Sequence, residues 1–386
     1  MASANSHQAP RASGPLIALS ANDGWGIVNF RRGLIAALHA AGYRVVVLAP
    51  DGPHSQAIRA LGADFVALPI QARGRSPVAD LRTLAAYHRR LRVLRPAAFL
   101  GFTIKPNIYG SMAAHLLGIP VINNITGLGA MFERKGPLNR LVAALYRLAL
   151  GRSATVFFQN PDDCGLFVQR GMVRPEQAAL LPGSGVDLDH FSPRQAPSNG
   201  PVTFLLAARL LWAKGIGEYV EAARIVRAER EDVRFRLLGP VEPEGPGAVA
   251  EANLQGWRDE GLIDYRGVAS DVRPKLAEAD CVVLPSYYRE GTPRILLEAA
   301  AMAIPVIAAD SVGCREAVIA GETGLLCEPR SAESLAEAML AIASMDAAHR
   351  QTMGRAARAF MERCFSEAVV HRAYLDALSV ALSKGL

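Results

Sequence analysis

Hydrophobic residues along this chain fall into short runs rich in Val, Ile and Leu, and the longer stretches between them repeat apolar residues at helical spacing. Strands that alternate with helices in this way indicate parallel sheets with helices on both faces. Amphipathic helices are predicted at stretches such as Phe30–Ala41 and Leu81–Leu94. The predicted strands are Leu16–Ser20, Arg44–Ala49, Phe65–Leu68, Ala98–Gly101, Val121–Asn124, Thr155–Gln159, Ala179–Leu181, Val202–Ala207, Arg234–Leu238, Ile263–Tyr265, Cys281–Leu284, Pro305–Ala308 and Gly324–Cys327.

The pattern breaks at Ser192–Pro201, where the sequence SPRQAPSNGP has the composition of a linker. We therefore predict two Rossmann-like α/β domains, an N-terminal one at residues 14–195 and a C-terminal one at 200–354, followed by a helical segment at 355–386. Ligands of open α/β sheets bind outside the carboxyl ends of the strands. The loops that follow the strands are therefore the places to look for functional residues.

Composition narrows the class of protein. Hydrophobic residues make up 51% of the 386 positions and charged residues 20%, which excludes global disorder. The net charge is +6 without a dense Lys/Arg tract, so we expect an anionic ligand or an anionic membrane surface and no nucleic acid. The five cysteines form no CxxC pair, which is typical of reduced structural thiols. With neither a signal-like nor a membrane-spanning apolar run, we expect a cytoplasmic protein, attached at most to a membrane surface.

The most informative segment, SYYREGTPRILLEAAAMAIPVIAAD, holds two glutamates, Glu290 and Glu298, with seven residues between them. Glu290 lies in a loop after a predicted strand, and Glu298 lies inside a helix that is predicted to begin near Pro293. Gly291–Thr292 leave backbone N–H groups for a ligand, and a helix N-terminus favours phosphate. This combination suits a nucleotide diphosphate-sugar. The alternative is that Glu290 caps the helix and Glu298 is a solvated charge.

A second segment, FLLAARLLWAKGIGEYVEA, places Arg209 and Lys214 in the loop between a strand and a helix. Arginine makes forked contacts to phosphate oxygens, and lysine acts as a movable point charge. Both residues suit a diphosphate, and the alternative is that they are exposed basic residues at a helix start.

In these segments the chain resembles glycosyltransferase family 4, whose E-x7-E signature is read here as Glu290-GTPRILL-Glu298. The resemblance covers most of residues 200–330 and implies the GT-B fold, in which two Rossmann-like domains face each other across a cleft. It also implies that Arg209 and Lys214 hold the donor diphosphate and stabilise the leaving nucleotide. Glu298 is then expected on the ribose, and Glu290 near the transferred sugar as a third catalytic residue. Further donor contacts are expected at Gly24, Gly26, Gly239, Val268, Gly291, Thr292, Pro293 and Arg294.

Several of these donor contacts have an equally good structural explanation. Gly239 ends a predicted strand, and Val268 belongs to YRGVASDV, which resembles the family segment around the nucleobase. Gly24 and Gly26 lie in a predicted loop after the first strand, where they let the backbone approach donor phosphates. Turn formation explains each of these glycines nearly as well.

The first half carries a segment, GFTIKPNIYGSMAAHLLGIPVINNITGLG, that resembles a family 4 subgroup extending undecaprenyl-diphosphate-linked sugars for surface glycans. The resemblance implies acceptor contacts at Thr103, Lys105, Asn107 and Thr126. Thr126 stands where many family members have a histidine, and His115 lies on a predicted helix, so no catalytic histidine is carried over. A retaining transfer in which the leaving diphosphate deprotonates the acceptor fits this departure.

These features predict a retaining glycosyltransferase that moves a hexose or N-acetylhexosamine from a nucleotide-sugar, UDP-linked by the family's habit, to a polyprenyl-diphosphate-linked sugar. The donor sugar, its base and the linkage stay open. One alternative is a GT-B sugar-nucleotide epimerase, which needs acid and base carboxylates plus a histidine at the sugar. Another is a non-catalytic sugar-nucleotide-binding module, against which intact Arg209, Lys214, Glu290 and Glu298 count.

Residues Met131–Arg152 predict docking on the inner face of the plasma membrane. Five cations, Arg134, Lys135, Arg140, Arg147 and Arg152, are interleaved there with apolar residues at helical spacing. Such a helix lies in the headgroup plane, with Tyr146 expected at its boundary. The alternative is that its apolar face packs into its own domain.

We expect no cofactor and no metal, because the histidines show no ligand spacing and cationic side chains serve the diphosphate. Transfer activity should therefore persist in excess EDTA, and added magnesium or manganese should not raise it. Inactivation by EDTA that either ion reverses would contradict this.

Overall fold

The structure is a computed structural model that describes residues 14–71, 76–128, 136–194, 200–241 and 247–383, without the side chains of Pro137 and Leu138. The chain divides into two compact units. Unit 1 comprises residues 1–126, 134–181 and 371–386, and unit 2 comprises residues 127–133 and 182–370. The boundary residues 195–199 of the predicted linker lie outside the described residues, and the domain limits read from the sequence stay a prediction.

Unit 1 contains a seven-stranded parallel sheet in the order β3-β2-β1-β4-β5-β6-β7. The strands are β1 Leu16–Ser20, β2 Arg44–Ala49, β3 Asp64–Ala67, β4 Ala98–Phe102, β5 Val121–Ile125, β6 Thr155–Phe158 and β7 Ala178–Leu180. The helices are α1 Gly24–Phe30, α2 Arg32–Ala40, α3 Ser55–Ala60, α4 Pro77–Leu94, α5 Ser111–Leu116, α6 Pro137–Leu150 and α7 Pro161–Gln169. All residues of β4 and β5 are buried, as expected of central strands with helices on both faces.

Unit 2 contains a six-stranded parallel sheet in the order β10-β9-β8-β11-β12-β13. The strands are β8 Val202–Ala207, β9 Val233–Leu238, β10 Ile263–Tyr265, β11 Cys281–Leu284, β12 Val306–Ala309 and β13 Gly324–Cys327. The helices are α8 Ile216–Glu229, α9 Glu251–Asp259, α10 Arg273–Ala277, α11 Arg294–Ala301, α12 Ala332–Ser344, α13 Ala347–Phe360 and α14 Glu367–Ser383, the last of which continues into unit 1 from His371.

Each sheet has one point where the strand order reverses. In unit 1 the reversal lies between β1 and β4, and in unit 2 it lies between β8 and β11. The connections that leave the two central strands run to opposite faces of the sheet, which opens a crevice between the loops at their carboxyl ends. The two reversal points therefore locate one candidate site in each unit.

The final helix belongs to the core of unit 1 from His371 onward. Tyr374 is buried there, and its ring lies 6.0 Å from Phe102 and 5.1 Å from Phe157 between ring centroids. The Asn124 side-chain amide donates to the Tyr374 hydroxyl at 2.6 Å. Residues 355–383 are helical apart from a π turn at Met361–Phe365 and the residue after it, and the last part of this segment closes the core over β4, β5 and β6.

A local prediction differs from the structure. The stretch that was expected to be one helix at Phe30–Ala41 is divided, because Arg31 has φ −129 and separates α1 from α2. The predicted helix that carries His115 is α5, and a π turn at Pro106–Gly110 precedes it and leads into it. A Cβ at Gly110 would lie 2.4 Å from the Phe99 ring, so glycine allows this wide turn to lie against β4.

In the described part of the chain, no helix combines the length and apolarity that a membrane crossing requires.

Candidate active site

The reversal point of unit 2 is held together by one backbone carbonyl. The Ala213 oxygen, in the loop after β8, accepts from the Ser286 hydroxyl at 3.2 Å and from the amides of Tyr287 and Tyr288 at 3.1 and 3.0 Å. These three donors belong to the loop after β11. These hydrogen bonds join the two loops that flank the crevice. Lys214 is the residue that follows Ala213.

Glycine allows this close approach. Gly215 ends the short 3-10 turn Trp212–Lys214 with φ +77, a conformation that L side chains rarely adopt. A Cβ at this position would lie 2.3 Å from the carbonyl oxygen of Pro285. A side chain here would push the two loops apart.

Lys214 and Glu290 form an ion pair at this point. Glu290 also accepts from the Ser286 hydroxyl at 3.1 Å, and the Lys214 ammonium lies 5.2 Å from the centroid of the Tyr288 ring. Only 12% of the lysine side chain and 13% of the glutamate side chain are exposed. Charges so little solvated need a partner of opposite sign, and each supplies it to the other.

The loop after β12 supports the Glu290 loop from the other side. Gly313 has φ +88, and a Cβ there would lie 1.9 Å from the carbonyl oxygen of Gly291. The Ser311 hydroxyl donates to the carbonyl oxygen of Ser286 at 2.6 Å. The sequence analysis did not select Ser286, Ser311 or Gly313. The glycine in SVGCRE, which follows a predicted strand, was a signal that could have identified Gly313.

The second glutamate is held by an arginine on its own helix. Arg294 begins α11 and donates from Nε to Glu298 Oε1 at 3.0 Å, one turn further on. Pro293 is the N-cap, with ψ 119, so the helix begins near Pro293 as predicted. Thr292 is buried. Gly183 has φ +65, and because it lacks a side chain its backbone can lie against the side chain of Thr292.

The remaining donor candidates lie beside the carboxyl ends of β8, β9 and β10. Gly239 has φ +145, its amide donates to the Gly267 carbonyl at 2.8 Å, and a Cβ would lie 1.8 Å from the Ala208 carbonyl oxygen. Arg209 follows Ala208 and is exposed, and Val268 follows Gly267 and is exposed as well. Strand order thus brings Arg209, Gly239 and Val268 to one edge of the sheet, while their contacts with a donor stay predictions.

The reversal point of unit 1 contains a strained residue. Thr103 follows β4 with φ +68, which is an outlier for a β-branched side chain and costs about 1–3 kcal/mol. Its hydroxyl donates to the Phe102 carbonyl and accepts from the amide of Asn22, after β1, at 3.0 Å. Thr103 therefore bridges the two strands between which the order reverses.

Lys105, two residues further, is paired with Asp80, which no sequence pattern selects. Lys105 Nζ lies 2.7 Å from Asp80 Oδ1, and the Tyr109 hydroxyl donates to Asp80 Oδ2 at 2.9 Å. Asp80 lies in the first turn of α4. Burial, followed by the bond to Asp80, raises the pKa of Tyr109, so its phenol stays protonated.

Asn107 is buried, and both ends of its amide bind other parts of unit 1, while its contact with an acceptor stays a prediction. Its Nδ2 donates to the Asn124 carbonyl at 2.8 Å, and its Oδ1 accepts from the Asn123 amide at 2.9 Å. Thr126 directly follows β5 and is partly exposed. His115 Nε2 lies 2.9 Å from the Ala149 carbonyl oxygen, and burial lowers its pKa, as a structural histidine would show.

Gly24 and Gly26 lie in the first turn of α1, so the loop predicted for them is wrong. Asp23 is the N-cap and accepts from the Gly26 amide at 2.7 Å. An aspartate N-cap stabilises a helix start, which explains the helix where the glycines suggested a loop.

Within the described ranges, no group of three or more His, Cys, Asp or Glu side chains could hold a metal ion.

Two parallel sheets with crevices at their reversal points, and a paired lysine and glutamate in the second, define a GT-B glycosyltransferase. A family model described as "Glycosyl transferase 4-like domain" matches residues 26–184, and one described as "Glycosyl transferases group 1" matches residues 201–345. The chain belongs to these glycosyltransferases and acts in glycan biosynthesis. The predictions of fold class, family and transferase activity are thereby confirmed.

Relatives include a Campylobacter jejuni N,N'-diacetylbacillosaminyl-diphospho-undecaprenol alpha-1,3-N-acetylgalactosaminyltransferase, 27% identical over 81% of this chain and 85% of that protein. Among solved structures, a Rickettsia africae glycosyltransferase has a TM-score of 0.79 at 17% identity, covering 96% of this chain and 99% of that one. Anabaena Alr3699/HepE, in complex with UDP-glucose, has a TM-score of 0.76 at 18% identity, covering 95% and 100%. At these identities the structural similarity shows the fold alone.

Gly239→Ala should lower the free energy of unfolding by about 2 kcal/mol or more, because alanine is strained at its φ and the Cβ meets the Ala208 carbonyl. Gly256→Ala is the matched control, since Gly256 lies in α9 with open space around it. The control should be more stable by about 0.5–1 kcal/mol. Denaturant unfolding measures both, and equal effects of the two variants would contradict the close approach.

Proposed function

We propose that the protein is a retaining glycosyltransferase that uses a UDP-linked hexose or N-acetylhexosamine and extends a polyprenyl-diphosphate-linked saccharide. The observation that carries the proposal is the Lys214–Glu290 pair at the reversal point of unit 2, next to the Arg294–Glu298 pair of α11. Cations and the start of a helix there suit a diphosphate, and carboxylates suit the hydroxyls of ribose and sugar.

In the proposed reaction the bond between the anomeric carbon and the diphosphate oxygen breaks. The acceptor hydroxyl oxygen bonds to the same face of that carbon, and its proton passes to the departing diphosphate. Arg209 and Lys214 stabilise the negative charge that develops on the leaving group, which is the largest contribution such a site makes. Glu290 orients the transferred sugar, and Glu298 binds the ribose.

The choice of substrates rests on relatives. HepE is described in complex with UDP-glucose, which supports UDP as the carrier. The Campylobacter jejuni relative is named for a diphospho-undecaprenol acceptor, which supports a lipid-linked saccharide here. The identity of the sugars is left to experiment.

The test is a panel of UDP-sugars incubated with a short-chain polyprenyl-diphosphate-saccharide, following released UDP and product mass. UDP release should depend on the acceptor, and the product should gain one sugar. Arg209→Ala and Lys214→Ala should each lower turnover by about 100- to 1,000-fold. The control Arg230→Ala, which removes an exposed pair with Asp232, should retain it. Near-normal turnover in both site variants, or UDP release without transfer, would contradict the assignment.

We further propose that unit 1 docks on an anionic membrane through α6. Leu141 and Leu148 are 56% and 63% exposed, two turns apart, and Arg140 and Arg152 are exposed beside them. Tyr146 is buried against Phe167, so its expected place at the membrane boundary is wrong. The helix thus has a buried face and an opposite face with exposed leucines and cations, which suits a headgroup plane.

One cation of the predicted docking segment contacts another part of unit 1 instead. Arg147 donates to the carbonyls of Gly171 and Arg170 at 2.9 and 2.6 Å, so it contacts the end of α7. Arg134 and Lys135 lie outside the described residues. The leucines, Arg140 and Arg152 are therefore the residues on which the docking proposal rests.

Liposomes containing anionic lipid should carry the protein in flotation at low salt and release it at high salt. The double variant Leu141→Glu/Leu148→Glu should stay unbound, because it places charge where acyl chains would be. Val380→Glu, at an exposed valine of α14, is the control and should still float. Equal flotation of both variants, or none for the unaltered protein, would contradict docking through α6.

A further inference from the structure

The loop after β4 and the first turn of α4 together carry a group of polar side chains that the donor chemistry of unit 2 does not use. We name Asp80, Lys105 and Tyr109 the β4-loop cluster. The ammonium and the phenol each contact a different oxygen of the carboxylate, at 2.7 and 2.9 Å. The cluster therefore brings one anion, one cation and one hydroxyl together at the carboxyl edge of the unit 1 sheet.

The backbone around the cluster is built to hold it at the reversal point. Thr103, two residues before Lys105, adopts φ +68 and is bonded to Asn22 across the reversal. The π turn Pro106–Gly110 follows Lys105 directly and contains Tyr109. Strained residues and π turns are concentrated at functional sites, because a fold retains them only when something else depends on the geometry.

The charges of the cluster decide which ligand it suits. Lys105 is 10% exposed and Asp80 is 19% exposed at the side chain, so the pair is poorly screened and close to neutral as a unit. Asp80 offsets the one cation of the cluster, so no positive charge is left for a diphosphate. The donor site differs, because it has three cations, Arg209, Lys214 and Arg294, against the two carboxylates of Glu290 and Glu298. Sugar hydroxyls both donate and accept, so one ring can donate to Asp80 and accept from Lys105.

We infer that the β4-loop cluster is a saccharide subsite, which binds a sugar ring of the acceptor through Asp80 and Lys105 and not its diphosphate. Asp80 is then a specificity-determining residue, and Tyr109 positions its carboxylate. The inference rests on the proposed function, and it assigns Lys105, which was expected to contact the acceptor, to the sugar ring rather than to the diphosphate.

The two possible ligands of Lys105 predict opposite effects for one substitution. Asp80→Asn removes the negative charge and keeps the size of the side chain. If Lys105 binds a diphosphate, this change exposes its positive charge and strengthens diphosphate binding. If the cluster binds a sugar ring, the change removes a charged hydrogen-bond acceptor and weakens saccharide binding by about tenfold or more.

The experiment measures binding without turnover. The probes are the octyl glycosides of glucose, galactose, N-acetylglucosamine and N-acetylgalactosamine, which lack a diphosphate, and farnesyl diphosphate, which lacks a sugar. Saturation-transfer NMR and calorimetry should show that at least one glycoside binds the unaltered protein. Asp80→Asn should weaken that glycoside about tenfold, and Tyr109→Phe should weaken it less. Farnesyl diphosphate should bind Asp80→Asn and the unaltered protein equally. Tighter binding by Asp80→Asn would support a diphosphate at Lys105 and overturn the inference.

Asp64→Asn is the matched control, because Asp64 pairs with Arg44 in the same unit but is half exposed and remote in sequence from the cluster. It should bind the glycosides normally, and thermal unfolding should show that all three variants are folded. Binding of none of the four glycosides at millimolar concentration, or a glycoside affinity unchanged by Asp80→Asn, overturns the inference.

The binding and transfer assays distinguish a failure of the subsite from a failure of the proposed function. Glycoside binding that Asp80→Asn weakens, in a protein without transferase activity, would support the subsite and refute the proposed function. Acceptor-dependent transfer whose acceptor KM falls in Asp80→Asn would support the proposed function and refute the subsite.

Discussion

The three hydrogen bonds to the Ala213 carbonyl are the interaction on which the donor site of unit 2 depends. They join the loops after β8 and β11, two strands that are adjacent in the sheet although β9 and β10 lie between them in sequence. Lys214 and Glu290 are placed in contact as a result. A poorly solvated lysine needs this partner, so the loop junction and the ion pair stabilise each other.

In unit 1 a hydrogen bond also joins the loops on the two sides of the reversal point, but different residues form it. Its sheet reverses between β1 and β4, and the Thr103 hydroxyl bonds across that point to the amide of Asn22. Here the close approach is obtained with a strained threonine, whereas unit 2 uses Gly215, which adopts positive φ without strain. Two sheets of one topology thus present two chemically distinct crevices, and the residues after the central strands decide the chemistry of each.

Both crevices hold a lysine whose charge is matched by a carboxylate, but the surroundings differ. The donor candidates of unit 2 include three cations, Arg209, Lys214 and Arg294, and two carboxylates, Glu290 and Glu298, so together they keep a positive charge that suits a diphosphate. Lys105, Asp80 and the neutral phenol of Tyr109 together carry no net charge. A transferase needs both kinds of surface, one for a charged leaving group and one for a ring of hydroxyls.

The sequence by itself determined the strands of both sheets to within a residue or two, because central strands such as β4, β11 and β12 are buried on both faces and form continuous apolar runs. It also determined Glu290 and Glu298, whose spacing is local. Only the tertiary structure decided that Lys214 contacts Glu290, 76 positions away, and that Asp80 contacts Lys105, 25 positions away. It likewise decided that Asn107 is buried and that Thr103 is strained. Local patterns record periodicity and burial, whereas contacts between loops follow from strand order, which no segment of the chain records alone.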